Sequence, residues 1–470
     1  MDALFDHGLS TGSAVLLFVC IAIALGFEFV NGFHDTANAV ATVIYTHSLK
    51  PGQAVVLSGV CNFFGVFLGG ISVALGIIKL LPVELLVSSG PGAGLAMVLA
   101  LLLAAIVWNL GTWFLGLPAS SSHTLIGAIM GVGLANSLLP GHRLGDGVNW
   151  TKASEIALSL VISPVFGFLA AGGLLLLARR YTRNTGLLAP AAPGVPPTPG
   201  VRALLIATCS GVSFAHGSND GQKGVGLMML VLIGLVPAGF ALDPHATPDR
   251  FDRTVAASVA LDRLVEAHTT REATGDAARV HVELAELRQH LGRHRSVGAI
   301  PRGERFAVRS AILRADRTVE NLARRGGLGL TPAETDALKA QRHELRALTD
   351  YAPNWVLLAI ALALGIGTMV GWRRIVVTVG EKIGKTHLTY AQGACAELVA
   401  ASTIGFAAVS GLPVSTTHVL SSGIAGTMVA QGSGLQRTTV RNIGLAWVLT
   451  LPAVMTLAGG MFLLLRLVLV

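Results

Sequence analysis

Apolar runs of about 20 residues, the length at which a helix spans the hydrocarbon core of a bilayer, recur along the chain. They lie near 14–33, 53–78, 94–115, 154–178, 203–240 (interrupted), 354–372, 392–410 and 442–468, with shorter Gly-rich runs at 117–139 and 412–430. About ten membrane segments are expected, so the fold class is an all-α polytopic membrane protein. Charge is divided in the same way. Residues 243–350 carry 34 of the 60 Asp, Glu, Lys and Arg side chains, and the other 362 residues carry 26. So few charges outside that block are typical of chains that live in lipid. They exclude an ordinary soluble enzyme, a disordered chain and a nucleic-acid-binding module. The formal charge of +8 lies in short loops and the mixed block, with no dense basic patch. Cys20, Cys61, Cys209 and Cys395 each sit in an apolar run and read as small buried filler.

The first run is not a cleavable signal. Asp2 and Asp6 precede it and no Lys or Arg comes before Lys50, which also favours an external N-terminus. Residues 179–202 read as a stiff, extended linker, with Arg179, Arg180 and Arg183 followed by Pro190, Pro193, Pro196, Pro197 and Pro199. Its basic start favours the cytoplasmic side. Residues 243–350 read as a soluble helical insert without a catalytic constellation. Val280, Leu284, Leu287 and Leu291 recur at helical spacing, as do Ile312, Val319 and Leu322, and Thr331 with Glu334 forms a capping pattern. The expected organisation is an N-terminal membrane repeat (1–178), the linker, the first segment of a second repeat (203–242), the insert, and the rest of that repeat (351–470). If 203–240 crosses once, the insert lies opposite the linker; if twice, on the same side.

An internal duplication organises the membrane part. Asn31-Gly-Phe-His34-Asp35-Thr-Ala-Asn38 pairs with His216-Gly-Ser-Asn219-Asp220-Gly-Gln-Lys223, aligned on Gly32/Gly217 and Asp35/Asp220. Gly116-Leu-Pro-Ala-Ser120-Ser121-Ser122-His123 pairs with Gly411-Leu-Pro-Val-Ser415-Thr416-Thr417-His418. Asp35 and His123 are 88 residues apart, Asp220 and His418 198. The difference of 110 is close to the length of the insert, so removing it superposes the halves. About five segments per half is an odd number, which gives two inverted-topology repeats with re-entrant or broken hairpins at the midplane. Such repeats are common in secondary transporters. Each motif, with its Gly, Pro and polar residues, is expected to interrupt its run where backbone is buried or lines a wet cavity.

The hairpin motifs suit an anion. Pro followed by hydroxyl residues starts a half-helix, whose free N–H groups and positive dipole end attract negative charge. Ser120, Ser121, Ser122 and Thr124 from one half, and Ser415, Thr416 and Thr417 from the other, would cradle a tetrahedral oxyanion. Hydroxyls can also simply bond across packed helices, but the matched pair favours the site. Asp35 and Asp220 are costly in a membrane. With Asn neighbours they suit a hard cation or proton and are the metal candidates; an Asp220–Lys223 ion pair is the plainer alternative. His123 and His418 could relay protons or brace their hairpins. Glu28 and Glu397 could carry protons, and Gln392 could gate or pack. The Gly65-xxx-Gly69 and Gly367-xxx-Gly371 pairs read as close helix packing.

On these four motifs the sequence resembles the inorganic phosphate transporter (Pit) family of secondary carriers, most of all its bacterial low-affinity branch. The resemblance covers everything except 243–350. It implies phosphate at the midplane, with Ser120, Ser121, Ser122, Ser415, Thr416 and Thr417 on phosphate and Asp35, Asn38, Asn219 and Asp220 on the coupling cation. Sodium-coupled members carry Asn-Asp-x-x-Asn in each half. Here His34 precedes Asp35 and Lys223 replaces the last Asn. The expectation is therefore proton symport with Lys223 or His34 in the proton path, moving phosphate as a neutral metal–phosphate complex. Sodium coupling and sulfate are the alternatives. No resident cofactor is expected; the partners are phosphate, protons or sodium, a divalent metal as cargo, and the lipid of a bacterial-type inner membrane, with a homodimer as the assembly. A remoter reading makes His34, Asp35, His123, His216 and His418 an intramembrane hydrolase centre, but no HExxH spacing supports it. A channel or purely structural protein is the third class.

Overall fold

The computed structural model describes residues 11–81, 91–141, 147–182, 185–191 and 194–470; Asp2, Asp6, Arg183 and Pro193 lie outside them. Among the described residues the structure is helical, with only isolated β-bridges. Helices α1 (Thr11–Tyr45), α2 (Pro51–Leu68), α3 (Ser72–Leu80), α4 (Pro91–Phe114), α5 (Ser121–Ser137) and α6 (Trp150–Tyr181) come first. Helix α7 (Pro199–His216) runs through a π-helical turn, Gly217–Gly221, into α8 (Gln222–Leu235). Helices α9 (Pro248–His268), α10 (Thr274–Leu291), α11 (Arg305–Arg324) and α12 (Pro332–Leu345) form the insert. Helices α13 (Asn354–Thr368), α14 (Arg373–Glu381), α15 (Tyr390–Val409), α16 (Thr416–Gln431) and α17 (Arg437–Leu469) complete the chain.

Among the described residues six helices are long and apolar enough to cross a membrane: α1, α2, α4, α6, α15 and α17. A seventh is counted if α13 and α14, bent by 67°, form one broken span. This is fewer than the runs in the sequence suggest. The run at 53–78 divides between α2 and α3, and 203–240 carries the π turn. The short runs become α5 and α16, of 17 and 16 residues, about 25 Å at 1.5 Å per residue. Large apolar side chains stay exposed on α6 (Leu158, Val161, Val165, Leu169) and α17 (Val448, Leu449, Leu464, Leu467). Apolar faces of this extent suit hydrocarbon rather than water.

Two expectations are corrected. Asn31–Asn38 does not interrupt its helix, because α1 is continuous from Thr11 to Tyr45. The segment has no Pro and a single Gly, and its side chains bond without breaking the backbone; Thr36 Oγ1, for example, donates to the Gly32 carbonyl at 2.7 Å. The linker is also shorter than its prolines suggest. Pro199 is the first residue of α7, a position where its missing N–H costs nothing.

The described chain divides into two compact units, one comprising Leu16–Val231 with Pro353–Val470, while Leu232–Ala352 belongs to the other. In the second, Val280, Leu284, Leu287, Leu291, Ile312, Val319 and Leu322 are buried together. Asp316 takes guanidinium bonds from Arg342 (2.8 Å) and Arg346 (2.7 Å). Thr331 and Glu334 close the capping box at the start of α12, and the Thr331 N–H and hydroxyl hold the Glu334 carboxyl below its usual range.

Candidate functional site

The two hairpins are built alike. Helices α4 and α15 each end on a glycine in the left-handed region, Gly116 (φ +67°) and Gly411 (φ +68°). In that region a β-carbon is strained. The next amides, of Leu117 and Leu412, return to carbonyls of the preceding helix at 2.9 Å, a Schellman-type stop. Ser120 and Ser415 then cap α5 and α16, each accepting from the histidine N–H three residues on at 3.2 Å. The capping satisfies one free amide per helix start. The other hydroxyls of each start remain available for longer-range contacts.

Those hydroxyls meet the two aspartates. Ser121 Oγ lies 2.7 Å from Asp35 and 3.4 Å from Asp220; its single proton serves one at a time. Thr417 Oγ1 donates to Asp35 (3.0 Å) and accepts from Asn38 (2.9 Å). Lys223 Nζ donates to Asp220 (2.6 Å), Ser122 Oγ (2.5 Å) and the Val414 carbonyl (2.8 Å). Ser122 donates in turn to that carbonyl. His34 bonds Asp35 at 3.0 Å and Thr112 at 3.1 Å. One buried ammonium thus ties both hairpins to Asp220, whereas Asp35 is held by hydroxyls and imidazole. All these side chains are buried, where a charge is stable only when paired.

His216 completes the cluster. Its Nδ1 pairs with Asn62 at 2.9 Å, and Nε2 lies 3.7 Å from Asp35 and 3.6 Å from Asp220. One ligand atom from each of Asp35, His216 and Asp220 falls within 4.8 Å of the others. With two carboxylates and one ammonium, the cluster carries one excess negative charge when its imidazoles are neutral. One proton balances that excess, and N/O donors of this kind also suit divalent metals.

The remaining residues named from the sequence lie around this centre. Asn219 spans the second hairpin, donating to the Leu412 carbonyl (3.0 Å) and accepting from Val414 N–H (3.3 Å), so its amide is spent on backbone. Thr124 bonds back to the Ser120 carbonyl, while the Thr416 hydroxyl is buried without a hydrogen-bond partner. The His123 and His418 rings lie tilted against each other with centroids 4.5 Å apart, and His418 stacks on Trp447 at 3.9 Å. Gln392 closes the capping box of α15 with Thr389. Glu28 takes a 3.4 Å bond from Asn31, one turn before the motif. Glu397 accepts from Thr208 at 2.5 Å, outside the aspartate cluster. His216 opened the second motif and entered the sequence reading only as part of the remoter hydrolase centre, while Asn62, Thr368 and Thr112 were not singled out for a binding role. Thr368 receives the Asn62 amide at 2.8 Å. One signal was present: Asn62 is a polar residue in an apolar run beside Gly65. A β-carbon at Gly65 would collide with the Phe214 carbonyl, and one at Gly217 with the Asn62 carbonyl. Backbone therefore packs on backbone where α2 meets the π turn.

A profile of the phosphate transporter family matches residues 31–458. The chain is similar to the low-affinity inorganic phosphate transporters PitA and PitB of Escherichia coli (strain K12), 45% identical to each over 97% of both chains. It is similar to the low-affinity inorganic phosphate transporter of Buchnera aphidicola (subsp. Acyrthosiphon pisum), 40% identical over 96% of both. Among solved structures it resembles one described as the sodium-dependent phosphate transporter, with a TM-score of 0.57 and 23% identity over 97% of this chain and 100% of that one. That last likeness is one of fold.

Proposed function

This chain belongs to the phosphate transporter family, and on that footing we propose that it imports inorganic phosphate by proton symport. It is a phosphate transporter rather than an enzyme. In our reading two inverted repeats alternate access to a central site, in a bacterial-type inner membrane, and the cargo is a metal–phosphate complex. The observation that carries this is the meeting of both hydroxyl-bearing half-helix starts at Asp35, Asp220 and Lys223.

Phosphate entering between α5 and α16 would take the Ser121 and Thr417 hydroxyls from Asp35, and Ser122 and Lys223 from their present partners. The freed Asp35 carboxylate, with His216 and Asp220, would then hold the proton or divalent ion that travels with phosphate. Each exchange replaces one charge-assisted bond with another, so binding stays reversible. Two features favour protons over sodium: His34 stands beside Asp35, and an ammonium, Lys223, stands beside Asp220. Each takes a place where a neutral oxygen ligand would serve sodium.

Uptake of labelled phosphate into proteoliposomes tests this, with proton or sodium gradients imposed separately and with sulfate, arsenate and a divalent metal varied. The expected result is proton-driven uptake that arsenate blocks, sulfate does not, and a divalent metal accompanies in equal amount. Sodium-driven uptake without metal would replace the coupling reading. In Lys223→Asn, a rate and proton dependence equal to wild type would remove Lys223 from the coupling path.

A further inference from the structure

We propose that the bend between α13 and α14 forms an auxiliary anion site that takes a phosphate-bearing group. A cavity of about 590 Å³ opens there, lined among others by Trp113, Phe114, Trp372, Arg373, Arg374 and Lys382. The bend of 67° lies at Gly371, whose φ of +72° turns the chain after α13. Trp113 Nε1 donates to the Gly371 carbonyl at 2.7 Å, fixing the bend against the end of α4.

Three cations converge on this cavity. Arg374 is held in place: Nη1 donates to the Phe114 carbonyl at 2.8 Å, and the guanidinium lies 5.2 Å from the Trp113 ring centre and 4.8 Å from that of Phe114. Its remaining N–H groups are oriented without further ordering. Arg373 and Lys382 are exposed, and neither side chain has a hydrogen bond or ion pair among the described residues. No described lining residue is acidic. Arg, Lys and Trp over an apolar floor are the composition that meets phosphate at a membrane–water boundary. A lipid headgroup and free inorganic phosphate present the same tetrahedral oxyanion, so either can supply the group. The site also touches the first hairpin, since Thr378 Oγ1 donates to the Gly116 carbonyl at 2.9 Å. Its occupant therefore bears on the turn that leads to Ser120–Ser122.

The purified full chain in phosphatidylcholine nanodiscs tests the site in two arms. In one, phosphatidylglycerol is added and the amount retained is measured by lipid mass spectrometry. In the other, binding of radiolabelled inorganic phosphate is titrated without anionic lipid. The variant is Arg373→Gln with Lys382→Gln, and the charge-conserving control is Arg373→Lys with Lys382→Arg. Retention or a second, weaker phosphate equivalent should fall about fivefold for each charge removed, with the control close to wild type. Loss in the lipid arm names a headgroup; loss of the second equivalent names free phosphate. Equal binding by wild type and the Gln variant in both arms would overturn the site. Retention of the first, tighter phosphate equivalent reports that the central site is intact, so its failure is read separately.

Discussion

Asp35 and Asp220 occupy matching positions of the duplicated motif, yet Asp35 sits in the unbroken α1 and Asp220 in a π-helical turn. Their partners differ accordingly. Asp35 is surrounded by groups that can let go, namely Ser121, Thr417 and His34. Asp220 is joined to an ammonium three residues along its own chain. The extra backbone residue of a π turn is a common device at functional sites. Here the turn begins and ends on glycine, Gly217 and Gly221, where α2 presses close. The two matching motifs thus carry two carboxylates in different settings, one held by hydroxyls and imidazole and one paired with an ammonium.

The largest effects should come from removing either carboxylate, and they should differ in kind. Asp220→Asn leaves Lys223 buried without a counter-charge and should cost ~3–5 kcal/mol, seen as a lower Tm in detergent. Asp35→Asn keeps the shape and loses only the charge, so it should fold normally while uptake falls about 100-fold, as for loss of a charged hydrogen-bonding group. Equal loss of stability in the two variants would erase the distinction. Next in size, Ser121→Ala and Thr417→Val should each raise the KM for phosphate about tenfold with little change in Tm. An unchanged KM in both would show that these hydroxyls belong to packing. Ser120→Ala and Ser415→Ala should each cost about 1 kcal/mol as lost caps, and by the same amount, since their geometries match. The smallest contrast lies at the turns. Gly116→Ala meets nothing nearer than 3.7 Å and should cost about 1 kcal/mol from its left-handed φ alone. Gly411→Ala also meets the Ser72 carbonyl at 3.2 Å and should cost more. A reversed order of Tm values would contradict that packing.

The hairpin geometry of the candidate site was legible because its signals are local. A Gly-Leu-Pro-x-Ser string encodes a left-handed stop, a proline and a cap within eight residues, and the structure contains that stop and that cap in both copies. What misled was also local: Asn31–Asn38 looks like a break, but polar side chains interrupt a helix only when they divert its backbone bonds, and here α1 stays continuous while Asp35 and Asn38 reach Ser121 and Thr417 on other helices. Asn62 gave only a weak signal, since a lone polar group in an apolar run gives no hint of which helix it faces, and the motif around His216 did not show that its ring meets both aspartates. Gln392 and Glu397, by contrast, turned out to be bound to Thr389 and Thr208.

By itself the sequence determined the apolar spans, the charged insert, the duplication and the two hairpin turns. Each is written in periodicity, composition or short motifs that act through backbone geometry over a few residues. Tertiary structure decided which groups share the centre. Lys223 reaches Ser122 and Val414, 101 and 191 residues away, and Asp35 reaches Thr417, 382 residues away. No periodicity links such positions. They meet because helices carrying glycine at their crossings pack closely enough to bring these polar side chains into one buried cluster, where a charge needs a partner.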